Sequence, residues 1–342
     1  MKRRPLALLL VLPLALAGCS GQRAQTDGKA HITSFFAMDT FIQCTAYGEQ
    51  APNALERVQQ RLEELESLWS VTDEASEIYA INHSAGQPIV LSDETSKAVS
   101  FALEMAEQTG GALEPTIYPV LTAWGFTTEE KRVPSGEELE RLLRLVGYGQ
   151  VKLDKNRLQI PEGVQLDLGA VGKGFASDEA VHLLKESGVS SALLDIGGNI
   201  HAIGAKPDGS DWRLGLKNPD GDGNLGVLSV SDRAVVTSGS YERFFIGEDG
   251  KRYGHILDPV TGRPAESGLL SVTVIADEGK MCDALSTSLF VMGLERAAEF
   301  WRQNQSFEMI LITEDGEIHL TEGIHSRFAL SPAHIGRTIT VI

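Results

Sequence analysis

Ser191-Ala-Leu-Leu-Asp-Ile196-Gly197-Gly198-Asn199-Ile-His-Ala-Ile203 decides the fold class. Two short apolar runs, 192–196 and 200–203, flank Gly197-Gly198-Asn199, which reads as the turn between two strands. The same grammar repeats toward the C-terminus. Strands are predicted over 213–216, 227–230, 234–237, 270–275, 309–313, 317–320 and 338–342, joined by short Gly/Asp turns. Toward the N-terminus helices alternate with short strands. Residues 52–69 set Leu55, Val58, Leu62, Leu65 and Trp69 on one stripe, opened by Pro52. A second helix, 92–109, takes Ser92 as N-cap and stops at Gly110-Gly111. Ser135-Gly-Glu-Glu138 has capping-box spacing and opens a third, carrying Leu139, Leu142, Leu143 and Val146. A fourth spans 173–186, and a late helix spans 281–301 with an interruption near Gly293. Strand runs with short turns imply mostly antiparallel pairing with helices packed on it, an α+β protein.

The N-terminus reads as a processing signal. Lys2, Arg3 and Arg4 precede an apolar run over 6–17, shorter than the about 20 residues that span a bilayer. Leu16-Ala17-Gly18-Cys19 puts small residues directly before a cysteine, which predicts a bacterial lipoprotein signal over 1–18 with Cys19 as the lipidated first residue. A polar tether over 19–30 would follow, leaving 31–342 as a single domain. More than one acyl chain, palmitate among them, would hold it stably at a membrane face. The whole chain carries −17; removing residues 1–18, with three basic and no acidic groups, leaves −20. That charge argues against nucleic acid as a partner and calls for a local cation wherever an anionic substrate binds. Cys44 and Cys282 read as two buried free thiols, although an exported protein permits a disulfide. With no CxxC and no Cys/His cluster, zinc and iron–sulfur sites are not indicated.

Three polar, glycine-rich segments carry the candidate chemistry. His255-Ile-Leu-Asp258-Pro259-Val-Thr261-Gly262-Arg263-Pro264 packs an imidazole, a carboxylate, a hydroxyl and a guanidinium around a rigid turn. Asp167-Leu-Gly169-Ala170-Val-Gly172-Lys173-Gly174 follows a predicted strand over 164–168 and opens a helix, so unpaired N–H groups and Lys173 would converge on an anion. Its glycine spacing fits neither a Walker A loop nor a Rossmann fingerprint. Asp283 and Thr287, four apart near the start of the late helix, share a face and offer hard oxygen donors suited to Mg2+ or Ca2+. Each segment alone also has a plain structural reading: a polar hairpin turn, a close-packed strand-to-helix turn, an Asp at a helix N-terminus. Ser238-Gly239-Ser240-Tyr241 could bind a phosphate or a ring or merely turn, and Trp124-Gly125-Phe126 reads as core or as a stacking surface. The other seven histidines show no mutual ligand spacing.

Taken in order, nine segments resemble the FAD:protein FMN transferase family (ApbE). They are Met38-Asp-Thr40, Gly111-Ala-Leu-Glu-Pro-Thr116, Pro119, Trp124-Gly-Phe126, the segment from Asp167 to Gly174, Asp195-Ile-Gly-Gly-Asn199, Thr237-Ser-Gly-Ser-Tyr241, the segment from His255 to Pro264, and Asp283-Ala-Leu-Ser-Thr287. The resemblance covers essentially the whole mature chain. It implies an α+β fold related to tunnelling-fold sheets, and transfer of FMN from FAD to a Thr or Ser hydroxyl of an acceptor protein with release of AMP. It implies Mg2+ held by the Asp283 and Thr287 side chains and the Ala170 carbonyl. Met38, Ala112, Leu113, Glu114, Asp167, Lys173 and Leu257 would line the FAD site, with His255 as catalytic base. Position 114 is often Asp in the family and is Glu here. Membrane redox-complex subunits are the family's usual acceptors, and the periplasmic face of the inner membrane its usual place, whereas Ser20 after Cys19 is compatible with the outer membrane.

The chemistry is consistent with the residues. Breaking a pyrophosphate requires neutralising charge on the leaving phosphate, and an imidazole with an ordinary pKa near 6.5 suits removal of the acceptor's proton, with Asp258 or the loop backbone orienting it. Two other readings use the same motifs: an FAD pyrophosphatase in which water attacks, giving FMN and AMP, and a lipid-anchored flavin binder without turnover.

Overall fold

The computed structural model describes residues 28–128 and 130–342. The predicted signal, Cys19 and most of the tether lie outside the described residues. The chain opens on a hairpin of β1 (Ala30–Ala37) and β2 (Thr40–Tyr47). A mainly helical stretch follows: α1 (Ala51–Trp69), α2 (Glu77–Asn82), α3 (Asp93–Gln108), α4 (Tyr118–Trp124), α5 (Gly136–Leu143) and α6 (Gly172–Glu186). Within it β3 (Ile89–Val90), β4 (Lys152–Asp154) and β5 (Arg157–Gln159) make a small sheet. Next come β6 (Ala192–Ile196), β7 (Asn199–Ile203), β8 (Trp212–Lys217), β9 (Asn224–Val230) and β10 (Arg233–Gly239). Two small hairpins, β11 (Phe244–Ile246) with β12 (Arg252–Gly254) and β13 (Leu257–Asp258) with β14 (Arg263–Pro264), precede β15 (Leu269–Ala276) and α7 (Gly279–Gln303). The chain ends with β16 (Glu308–Thr313), β17 (Ile318–Leu320), α8 (Glu322–His325), β18 (Phe328–Leu330) and β19 (Ile339–Val341).

The frame is a nine-stranded sheet in the order β1-β2-β6-β7-β10-β15-β16-β17-β19, antiparallel except where β17 and β19 run parallel. One face carries α1, α6 and α7 over a core that includes Ile42, Val58, Leu62, Val236, Val274 and Leu289. The other is covered in part by the three-stranded sheet β18-β9-β8, through Trp212, Leu228 and Phe328 against Val235, Ile275 and Ile310. Covering β15 on both faces explains its near-continuous apolar run, Leu269-Leu-Ser-Val-Thr-Val-Ile-Ala276. The α+β class and the mostly antiparallel pairing therefore stand.

The predicted helices form close to where the sequence placed them, although the third stops at Leu143, short of Val146, and two of them have their predicted caps. Ser92 and Ser135 accept the N–H groups of Thr95 and Glu138. The capping box at Ser135 is only half built, since the Glu138 carboxylate turns to Arg132 instead. The predicted interruption of α7 falls at Gly293, at φ 78° and ψ 172°. One expectation fails: 164–168 is not a strand. Val164, Leu166 and Leu168 are buried as its alternation implied, but the segment makes only an isolated bridge between Gln165 and Ile117. The Asn82 amide stands in for a neighbouring strand, accepting the Leu166 N–H at 2.7 Å and donating to its carbonyl at 2.9 Å. Cys44 and Cys282 are free and buried, and burial pushes the Cys44 thiol up to about 12. Among the described residues no helix is long and apolar enough to cross a membrane.

Candidate active site

Register brings the ends of six strands together at one end of the large sheet. β1 pairs Ala37 with Thr40, β6 pairs Ile196 with Asn199, and β10 pairs Gly239 with Ser271 of β15. Hence Met38-Asp39, Gly197-Gly198, residues 237–241 and the start of β15 lie side by side. Met38 and Asp39 hold φ of 54° and 55°, an uncommon conformation for residues with a Cβ. Glu66 Oε1 helps fix the turn by accepting the Met38 N–H at 2.9 Å. Gly197, at φ 59°, sits against Thr40 so closely that any side chain would collide with it.

Helix α6 reaches this end with its N-terminus. Its first residue, Gly172, lies under Met38, whose Cε would be 3.7 Å from a Cβ there. Gly174 is the third residue of α6, so its N–H has no partner within the helix; it is donated to Asp283 Oδ2 of α7, at 2.9 Å. Ala170 lies just before the helix, two residues from Gly172. Lys173 Nζ lies 3.8 Å from Asp283 Oδ1 and 3.5 Å from the Gly169 carbonyl. Asp167 Oδ1 accepts the Gly169 N–H at 3.0 Å. Desolvation pushes the Asp167 carboxyl up, against the pull of Lys173 and Arg243.

Asp283 is 4 % exposed, and one turn on, Thr287 Oγ1 lies 3.2 Å from Ser238 Oγ at the end of β10. Ser238 also meets Ser286 Oγ at 2.9 Å. Asp283, Thr287 and the Ala170 carbonyl offer only hard oxygens, with no thiolate or imidazole beside them. That set fits Mg2+, which takes one or two carboxylates and completes its shell with water and substrate phosphates. Consistently, no cluster of three or more His, Cys, Asp or Glu able to cage a metal occurs among the described residues.

His255 leads into β13 and is held by Arg243: its backbone N–H donates to the Arg243 carbonyl at 3.0 Å, and Nδ1 lies 3.1 Å from the same oxygen. A carbonyl can only accept, so Nδ1 carries the proton and Nε2 keeps its lone pair. Although part of its surface stays open, the ring is crowded by protein atoms. That desolvation, with Arg243 and then Lys173 nearby, brings its pKa down to about 4. The expectation that Asp258 orients the ring is not met. Asp258 instead accepts from Val260 N–H and Thr261 Oγ1, closing its own turn, and the orienting backbone belongs to Arg243.

The remaining residues that the resemblance assigns to an FAD site fall into two groups. Ala112 and Leu113 are buried beside the 165–167 segment, which is tied to theirs by Asp167 N–H donating to the Pro115 carbonyl. Glu114 spends its carboxylate on protein: Oε1 accepts from Thr116 N–H and Oγ1, and Oε2 from Tyr148 N–H. Leu257 is buried with Val120, Trp124 and Leu139, and Trp124 Nε1 donates to the Gly262 carbonyl at 2.7 Å, so Trp124 is core. Phe126 lies edge-on to His255 at 6.4 Å. Sequence reasoning gave Ser238 only an ambiguous reading and had no signal for Arg243, whose contribution is a backbone carbonyl.

A helix N-terminus with a lysine beside it draws anions, and the neighbouring donors are all oxygens. A site of this class is suited to a phosphate-bearing ligand. Comparison with known proteins gives the family. A sequence model of the ApbE family matches residues 38–311, and the chain belongs to that family. A Treponema pallidum protein named FAD:protein FMN transferase is 33% identical, over 93% of this chain and 94% of its own length. A protein of the same name from Vibrio cholerae is 34% identical, over 89% and 92%. Among solved structures, the ApbE protein of Thermotoga maritima matches with TM-score 0.83 at 33% identity, covering 87% of this chain and 99% of that one. The flavin transferase ApbE from Vibrio cholerae matches with TM-score 0.80 at 28% identity, with the same coverage.

Proposed function

We propose that this protein is an Mg2+-dependent FAD:protein FMN transferase. It moves FMN from FAD to a Thr or Ser hydroxyl of an acceptor protein through a phosphoester bond and releases AMP. The observation that carries the reading is the Gly174 N–H to Asp283 contact. It brings the α6 N-terminus, Lys173, the Ala170 carbonyl and the Asp283–Thr287 face together at the end of the sheet where Met38 turns. The bond that forms joins the acceptor oxygen to the FMN phosphorus, and the bond that breaks is the pyrophosphate P–O to AMP. The acceptor's proton goes to Nε2 of His255. Lys173 and the α6 N–H groups receive the pyrophosphate in a body of strongly negative charge. Asp283, Thr287 and the Ala170 carbonyl would hold Mg2+, which would supply neutralisation of the developing phosphate charge. Met38, Ala112, Leu113, Asp167 and Leu257 shape the flavin and ribityl end, and Glu114 holds the turn that positions them.

The lipoprotein signal read over 1–18 supports anchoring through Cys19 at the periplasmic face of a bacterial membrane, and an acceptor in a membrane redox complex. Mass spectrometry of a Thr-containing acceptor domain incubated with residues 20–342, FAD and Mg2+ tests the activity. The acceptor should gain the mass of FMN, and the gain should vanish with EDTA or in Asp283→Ala. Free FMN and AMP beside unmodified acceptor would convert the reading to a hydrolase, and intact FAD to a binder.

A further inference from the structure

Helices α6 and α7 cap one another. Asp283 of α7 accepts the Gly174 N–H in the first turn of α6. One turn along α6, Asp178 returns the arrangement: Oδ1 accepts the Gly279 N–H at 2.6 Å and Oδ2 the Lys280 N–H at 3.1 Å, the first two residues of α7. The residue at the N-cap of α7, Glu278, makes no side-chain cap bond, so Asp178 does that work from the neighbouring helix. The two helices touch backbone to backbone. A Cβ on Gly174 would lie 2.5 Å from the Gly279 carbonyl, and one on Gly279 2.8 Å from the Gly174 carbonyl.

We infer that Asp178 is a positioning residue for the metal-binding pair Asp283 and Thr287, fixing the first turn of α7 against α6 so that Asp283 Oδ1 is left to face the site. Asp283 Oδ2 is occupied by Gly174, so only a fixed axial position and rotation of α7 aims the other oxygen and Thr287 together. The inference rests on the Mg2+ reading above. Burial raises its carboxyl to about 6, although the Lys280 and Gly279 N–H groups and the Lys280 ammonium pull it down, so both oxygens are committed to the first turn of α7. The other titratable neighbour is His201, whose Nδ1 lies 3.8 Å from Asp178 Oδ1 and 2.8 Å from Ser177 Oγ.

The test is calorimetric titration of Mg2+ into the full-length protein saturated with ADP, a pyrophosphate with no flavin to transfer, together with Tm in Mg2+-free buffer. Wild type should bind and Asp283→Ala should not. Asp178→Asn, whose single amide oxygen can accept only one of the two N–H groups, should bind Mg2+ about tenfold more weakly, the lower end of what outer partners of metal ligands are worth, with its Tm read separately. Asp178→Glu, which keeps the charge and displaces it by one methylene, should show the same loss and decides the matter if the Asn variant does not fold. Mg2+ affinity within twofold of wild type in the folded variant overturns the inference, whatever its Tm. A wild type that takes no Mg2+ overturns the metal reading itself, and the inference with it.

Discussion

At His255 the protein uses desolvation to keep an imidazole neutral. Its pKa of about 4 lies below the ordinary 6.5, so the neutral, proton-accepting ring is the resident form at any pH above about 4. If His255 takes the acceptor's proton, kcat/KM for transfer should hold level from pH 8 to about 5 as far as this group is concerned. It should fall as pH drops through about 4, where the ring charges and can no longer accept. A pH–rate profile with an acid limb near 6.5 would contradict this, and so would His255→Ala with an unchanged transfer rate. The identity of this residue was legible in the sequence, because an imidazole on a Pro/Gly turn stands out. Its environment was not. The neighbour that orients it, Arg243, acts through a peptide carbonyl that every residue type possesses. Likewise Glu114 gives no sign in sequence that its carboxylate closes on Thr116 and Tyr148.

Among the elements, the crossing of α6 and α7 is the most demanding contact. Gly174→Ala should cost about 1–3 kcal/mol, because its Cβ must displace the α7 backbone and the packed interior resists overfilling. It should also weaken Mg2+ binding by moving Asp283 off the Gly174 N–H. Thermal unfolding read beside metal titration checks both, and a variant with wild-type Tm and affinity would show the crossing to be slack. The sequence marked Gly174 only as the last glycine of the segment that opens α6; its partner, Gly279, lies 105 positions on, beyond the reach of any local pattern. The misread strand at 164–168 has a similar cause. Alternation at Val164, Leu166 and Leu168 reports correctly that the chain is extended with one face buried. It cannot report that the hydrogen-bonding neighbour is the Asn82 side chain rather than a strand. Helices, by contrast, were legible because Ser92 and Ser135 cap them within four residues.

Across the whole molecule, the candidate site draws on the chain from Met38 to Thr287, and within that span the large sheet is closed across a long insertion. β2 is paired on its inner side with β6, yet residues 48–191 intervene. As the chain leaves the ribosome, the β1–β2 hairpin therefore emerges with one edge of β2 unpaired until the sixth strand follows, although α1 can already cover its inner face. Loop closure over such a distance is slow relative to local helix formation. Pulse-labelling hydrogen exchange during refolding should find amides of α1 and α3 protected before those of β2, with FAD binding appearing only in the later phase. Simultaneous protection would show that the hairpin docks early. The same delay makes the opening hairpin the segment most in need of a holding chaperone, and the part of the newborn protein most open to pairing with the wrong strand.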